Sequence, residues 1–160
     1  MSKLQNKIAL NFILYFSIFS ISFAYYVEFF LGHMPCNLCL LERVPYFLSI
    51  FIITILLIVK KYEKFILFIL GIIFLFATVL SIYHVGIENG FIEESPICGV
   101  RSGLNILDKE LLLEELKKST ISCKNVTFSI LGLSLATINI FVSLCFFLIT
   151  IRKFYYYEKK

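Results

Sequence analysis

Cys36-Asn37-Leu38-Cys39, with Arg43 four residues further on, is the densest group of chemistry-bearing side chains in the sequence, and a second pair, Cys98 and Cys123, stands in its one long polar stretch. A two-residue spacer makes a strained, exchangeable disulfide, and such thiols often have depressed pKa values. Cys39 falls at the expected start of a helix, where the dipole favours an anion. Arg43 lies on the same helical face, where a permanent charge can stabilise a Cys39 thiolate. The chemistry these residues can perform is thiol–disulfide exchange. The competing reading of Arg43 is an anchor snorkelling to a membrane interface, and Cys98 and Cys123 fit either a redox couple or a structural disulfide. A Cys₄ zinc site would want two close-spaced pairs and only one is present, so no resident metal is expected. Cys145, in Ser143-Leu144-Cys145-Phe146-Phe147, reads as a small buried apolar residue.

The elements that must position these side chains belong to a membrane. Hydrophobic residues make up 59% of the 160, with 18 Phe, far more than a soluble domain of this size needs for its core. Four apolar runs, about 8–31, 44–59, 65–84 and 127–151, approach the ~20 residues a helix needs to cross ~30 Å of hydrocarbon, the second being short. None alternates as a barrel strand would. The first run follows Lys3 and Lys7 as a signal peptide would, but it is long for one and Phe23-Ala24-Tyr25 is a poor cleavage site, so it is read as the first membrane helix. The expected fold is an all-α, four-transmembrane-helix bundle.

Basic residues near helix ends orient such a bundle. Lys3 and Lys7 precede the first helix, Lys60, Lys61 and Lys64 fill the turn between the second and third, and Arg152, Lys153, Lys159 and Lys160 follow the fourth. Both termini are therefore expected in the cytoplasm, and the loops at about 32–43 and 85–126 on the outer, oxidising side, where thiols pair readily. The second loop is mildly acidic, with Glu88, Glu93, Glu94, Asp108, Glu110, Glu114 and Glu115 against five basic residues. The net charge of +4 resides in membrane-flanking clusters and carries no implication of nucleic acid. Without a linker rich in Pro, Gly or Ser, residues 1–160 read as a single membrane domain. Within the second loop Leu104, Leu107, Leu111, Leu112 and Leu116 recur at helical spacing among charged residues, which predicts a short amphipathic helix begun by Asp108. It could lie on lipid or pack on the protein.

Electrons reaching a dithiol at the membrane edge need an acceptor. The sequence has no Cys-x-x-Cys-His haem site, no dinucleotide fingerprint and no recognisable flavin motif, so a lipid-soluble quinone is the economical choice. Arg43 and His84, the latter in Tyr83-His84-Val85-Gly86, could polarise its ring oxygens and supply protons. His84 fits an ordinary interfacial histidine as well.

Taken in order, Pro35-Cys36-Asn37-Leu38-Cys39-Leu40-Leu41-Glu42-Arg43, Tyr83-His84-Val85-Gly86-Ile87-Glu88, Cys98, then Cys123 followed by Leu131-Gly132-Leu133-Ser134-Leu135-Ala136 and Asn139, resemble the signatures of the DsbB/DsbI family of disulfide bond formation proteins. The related vitamin K epoxide reductase group places its Cys-x-x-Cys after the loop pair, so the order here favours DsbB. The resemblance implies a bacterial inner-membrane oxidoreductase that accepts electrons from a periplasmic thioredoxin-like oxidase, DsbA, and reduces ubiquinone or menaquinone. It implies that Cys98 forms the mixed disulfide with the partner, that Cys123 bridges transiently to Cys36, that the released Cys39 thiolate engages the quinone, and that Arg43 and His84 lie beside it. Trp, frequent in the second loop of relatives, is absent, and Phe128 stands where an aromatic is common. Gly132, Ser134, Ala136 and Asn139 match the family, and such small residues also serve close helix packing. The competing expectation is a non-enzymatic four-helix membrane protein with two structural disulfides.

Overall fold

A computed structural model describes residues 3–59, 63–93, 98, 123–124, 128–130 and 132–158. Its helices are α1 (Lys3–Phe29), α2 (Asn37–Val59), α3 (Glu63–Glu88) and α4 (Leu135–Glu158), with a hairpin of β1 (Ser129–Ile130) and β2 (Leu133–Ser134) ahead of α4. All four helices are long and apolar enough to cross a membrane. α1 packs on α2, α2 on α3 and α3 most extensively on α4, while α1 and α4 barely meet. The predicted amphipathic helix and its Asp108 cap lie outside the described residues.

The helix bounds depart from the apolar runs for identifiable reasons. α2 begins at Asn37 rather than near 44, because Glu42 and Arg43, which interrupt the run, are held inside the helix by partners on other helices. α3 continues one turn past His84 to Glu88 and ends in a Schellman cap: Phe91 N–H bonds Gly86 C=O at 2.9 Å and Gly90 N–H bonds Ile87 C=O at 3.0 Å. Gly90 takes φ +74°, a left-handed value that suits a residue without Cβ. α4 starts at Leu135 instead of about 127, since the preceding residues pair as Ser129 with Ser134 and Ile130 with Leu133 around Gly132 at φ +82°. Ser134 Oγ then accepts the Thr137 N–H at 3.2 Å, capping α4.

Lipid cannot satisfy polar groups, so hydroxyls on the inner faces bond the preceding turn or each other. Thr78 bonds Phe74 C=O at 2.8 Å and Ser143 Oγ at 3.0 Å, and Ser17 and Ser49 meet at 3.2 Å between α1 and α2. Around them Phe74, Phe146, Tyr46, Ile53 and Leu70 form the main apolar core, with the Phe74 and Phe146 rings 5.0 Å apart and edge-on. The outer surface is also apolar, bearing Phe51, Phe76 and Phe141. Cys145 belongs to this outer surface, not to the interior expected for it, because α4 turns Ser143 and Phe146 inward. Where the solvent is lipid, a thiol facing outward carries little penalty. Phe74→Ala should lower unfolding stability in detergent by about 3 kcal/mol through the cavity it leaves, whereas Phe76→Ala should change it little; denaturant titration of both variants checks this.

Candidate functional site

Cys36 occupies the N-cap of α2. Its carbonyl accepts the Leu40 N–H at 3.1 Å, and its sulfur accepts the Cys39 N–H at 3.3 Å, the position a Ser or Asp oxygen fills in an ordinary cap. The two thiol sulfurs stand 2.8 Å apart. The Cys39 thiol hydrogen bond holds the Cys36 sulfur well below the usual thiol range, with His84 and the Cys39 N–H adding to it against the opposing effect of burial. The negative end of the pair is thus Cys36, one turn earlier than the Cys39 anion expected from helix position.

His84 connects this dithiol to the bundle interior. Its Nε2 lies 3.5 Å from Cys36 Sγ and its Nδ1 lies 3.0 Å from Glu42 Oε1. A carboxylate only accepts, so Nδ1 carries a ring proton, and Nε2 faces the Cys36 sulfur, accepting from its thiol or, as part of an imidazolium, donating to its thiolate. Glu42 is fixed in turn: Asn139 of α4 donates to its Oε2 at 3.2 Å and to Ser81 Oγ at 2.8 Å, while the Tyr46 hydroxyl donates to Asn139 Oδ1. His84, Glu42 and Ser81 are all buried. Glu88 Oε1 sits 3.8 Å from His84 Nε2 on the side away from Glu42.

Arg43 does not bond the Cys39 thiol. Its guanidinium donates to Glu28 of α1 at 2.6 Å and lies 5.0 Å above the Tyr25 ring, largely shielded from the surroundings. Arg43 still lines, with Cys36, Cys39 and His84, a cavity of about 360 Å³ in the gap between α1 and α4. Phe16, Phe19, Phe23, Ile138 and Val142 make its other walls apolar. That size and lining fit a planar, lipid-soluble ring with polar atoms at one end, so the residues present are compatible with a quinone head group. Cys98 and Cys123 are joined by a disulfide, Cα to Cα 5.5 Å, and both pack in one buried cluster with Cys36, Leu38 and Ile87. The four cysteines of the two pairs therefore gather at one end of the bundle. Phe128 also lines the cavity, its ring 5.3 Å from that of His33.

Glu28, Glu42, Tyr46 and Ser81 were not singled out from sequence, and Asn139 was noted only as a family match and a packing residue. A signal existed for two of them. Glu28 is the one ionisable side chain within 8–31 apart from tyrosine, and Glu42 falls where α2 is otherwise apolar; an ionisable group in a membrane helix implies a nearby partner. The partners themselves come from distant turns and carry no local mark.

Comparison with known proteins agrees with this architecture. The profile of the family described as disulfide bond formation protein DsbB matches residues 6–152. An uncharacterized protein of Rickettsia prowazekii (strain Madrid E) is 31% identical over 134 residues, covering 81% of this chain and 76% of its own. No solved structure matches. With the family profile spanning all four helices and both cysteine pairs, the chain belongs to the DsbB family of membrane proteins that form disulfide bonds.

Proposed function

We propose that this protein is an inner-membrane oxidoreductase that reoxidises a periplasmic DsbA-like, thioredoxin-fold oxidase and passes the electrons to ubiquinone or menaquinone. The observation that carries this reading is the meeting of the Cys98–Cys123 disulfide, the Cys36/Cys39 dithiol and an apolar cavity at one end of the bundle. The lysines and arginines that flank the helices in the sequence support a cytoplasmic location for both termini.

The exchange steps balance among the cysteines. The partner's dithiol attacks Cys98, opens the Cys98–Cys123 bond and leaves as a disulfide, so two electrons and two protons enter the loop pair. Cys123 then attacks Cys36, releasing Cys39, and Cys98 displaces Cys36 to restore the loop disulfide. The end state is a closed loop pair beside two free thiols. Cys98 is only 1% exposed, so its sulfur must come to the surface before the partner can reach it. When bound in the cavity, a quinone supplies the two-electron acceptor. The chain's part is to hold it: Phe16, Phe19 and Val142 exclude water, Arg43 presents a permanent charge, and His84 Nε2 takes the Cys36 proton while Glu42 balances the resulting imidazolium.

Purified protein supplied with a reduced thioredoxin-fold oxidase should reduce a soluble quinone analogue. Cys98→Ser should lose this activity yet keep quinone reduction by a small dithiol, and Cys123→Ser should trap a mixed disulfide through Cys98. Equal loss of every activity in both variants would return the loop pair to a structural bridge.

Arg43→Lys should insert normally and raise the apparent KM for quinone about tenfold, the ~1.4 kcal/mol of one charged hydrogen bond. Arg43→Ala should lose more and accumulate reduced Cys36 and Cys39. Because that variant also strands Glu28, Arg43→Ala with Glu28→Gln is the control: the double variant should regain stability but not quinone affinity. Wild-type turnover across a full quinone series in Arg43→Ala would make Arg43 an anchor only.

Orientation is tested by labelling. After reduction, a membrane-impermeant thiol reagent should reach Cys98 and Cys123 from the periplasmic face of intact inner membrane, and labelling that requires access to the cytoplasmic face would reverse the topology.

A further inference from the structure

The same end of the bundle brings together a second kind of chemistry, that of a soft divalent cation. The sulfurs of Cys36 and Cys39 and a ring nitrogen of His84 all lie within 4.8 Å of one another. Tetrahedral zinc, with Zn–S of about 2.3 Å and Zn–N of about 2.0 Å, spaces sulfur from nitrogen by about 3.5 Å and sulfur from sulfur by about 3.8 Å. Cys36 Sγ is already 3.5 Å from His84 Nε2. The sulfurs, at 2.8 Å, need to part by about 1 Å, a side-chain rotation open to Cys39, which is only partly buried.

An outer support is also in place, and the fourth position is left for water, with Glu88 Oε1 nearby at 3.8 Å from the same His84 Nε2. On the other side of the ring, Glu42 Oε1 accepts from Nδ1 at 3.0 Å, which leaves the Nε2 lone pair directed at the sulfurs. A carboxylate bonded to the distal nitrogen of a histidine is the usual outer partner of a histidine–zinc bond, fixing the ring and raising its basicity.

We propose that in its reduced state the Cys36/Cys39 dithiol, with His84, is a three-ligand binding site for a thiophilic divalent cation of the Zn²⁺ class, and that the bound ion holds the dithiol reduced. Binding breaks two S–H bonds, forms two metal–sulfur bonds and releases two protons; no electron moves. The site exists only in the reduced protein, because sulfurs joined to each other cannot both act as thiolate ligands. This deepens the functional reading above in that the ion would stall the dithiol that reading uses. The geometry requires neither quinone nor partner protein, so a metal titration without either one tests it separately.

The test uses full-length protein in detergent with Cys98, Cys123 and Cys145 each replaced by Ser, which confines thiolate ligation to Cys36 and Cys39. After reduction with a phosphine and removal of the reductant, Co²⁺ is the probe. The expected result is a thiolate-to-cobalt charge-transfer band with tetrahedral d–d absorption, saturating at about one ion per chain and bleached by Zn²⁺. The oxidised protein should show neither band, and His84→Ala should weaken Co²⁺ binding about tenfold or more. If His84→Ala does not fold, Zn²⁺ protection of Cys36 and Cys39 from a maleimide in the protein with His84 intact supplies the readout, and protection supports the site. Folded, reduced protein without a cobalt–thiolate spectrum, binding by the oxidised protein, undiminished binding by folded His84→Ala, or unprotected thiols would each overturn the proposal.

Discussion

A carboxylate and an imidazole lie buried 3.0 Å apart where α2 passes α3, in a bundle whose outer surface faces lipid. Neither group could stay there alone, since a bare charge or an unpaired polar atom in hydrocarbon costs several kcal/mol. Satisfying Glu42 sets the local packing of three helices: His84 fixes α3 against α2, and Asn139 must come from α4 at the level that reaches both Glu42 Oε2 and Ser81 Oγ. Phe74 and Phe146 fill apolar space below this network but are interchangeable in kind. The polar contacts are not, because each accepts one partner in one direction.

The same requirement explains why the cavity opens where it does. α1 contributes Glu28 to Arg43 and Ser17 to Ser49, both on α2, and has little to hold it to α4. Phe12 and Phe16 of α1 meet Phe146 of α4 edge-on, while Phe19 and Phe23 line a gap that reaches Cys36 and Cys39 through apolar walls. A lipid-soluble molecule can meet the dithiol there while water is excluded. Of the charged groups beside it, Arg43 is paired with Glu28, and Glu42 is held by hydrogen bonds from His84 and Asn139, so the cavity is polar at one end.

The four spanning helices were legible in the sequence because lipid demands long apolar runs, and the thiol chemistry because Cys36-Asn37-Leu38-Cys39 is a local pattern. What was illegible lies in charge placement. Counting Glu42 and Arg43 as the end of an apolar run moved the expected start of α2 to about 44, when the pairing of those residues across helices lets the helix begin at Asn37. The start of α4 was misplaced for a different reason, since a hairpin with two-residue strands about Gly132 is too short to show alternation. Arg43 was read toward Cys39 by helical spacing, whereas its first partner is Glu28, fifteen residues earlier and on another helix. Spacing reports which side chains share a face, not which of several neighbours a charge selects.

The cap of α2 ties backbone order to electron flow. The sulfur that accepts the Cys39 N–H is also the atom that forms and breaks covalent bonds in the proposed exchange. Helix termination and thiol chemistry thus share one atom, so a substitution that removes the Cys36 sulfur also removes a cap of α2.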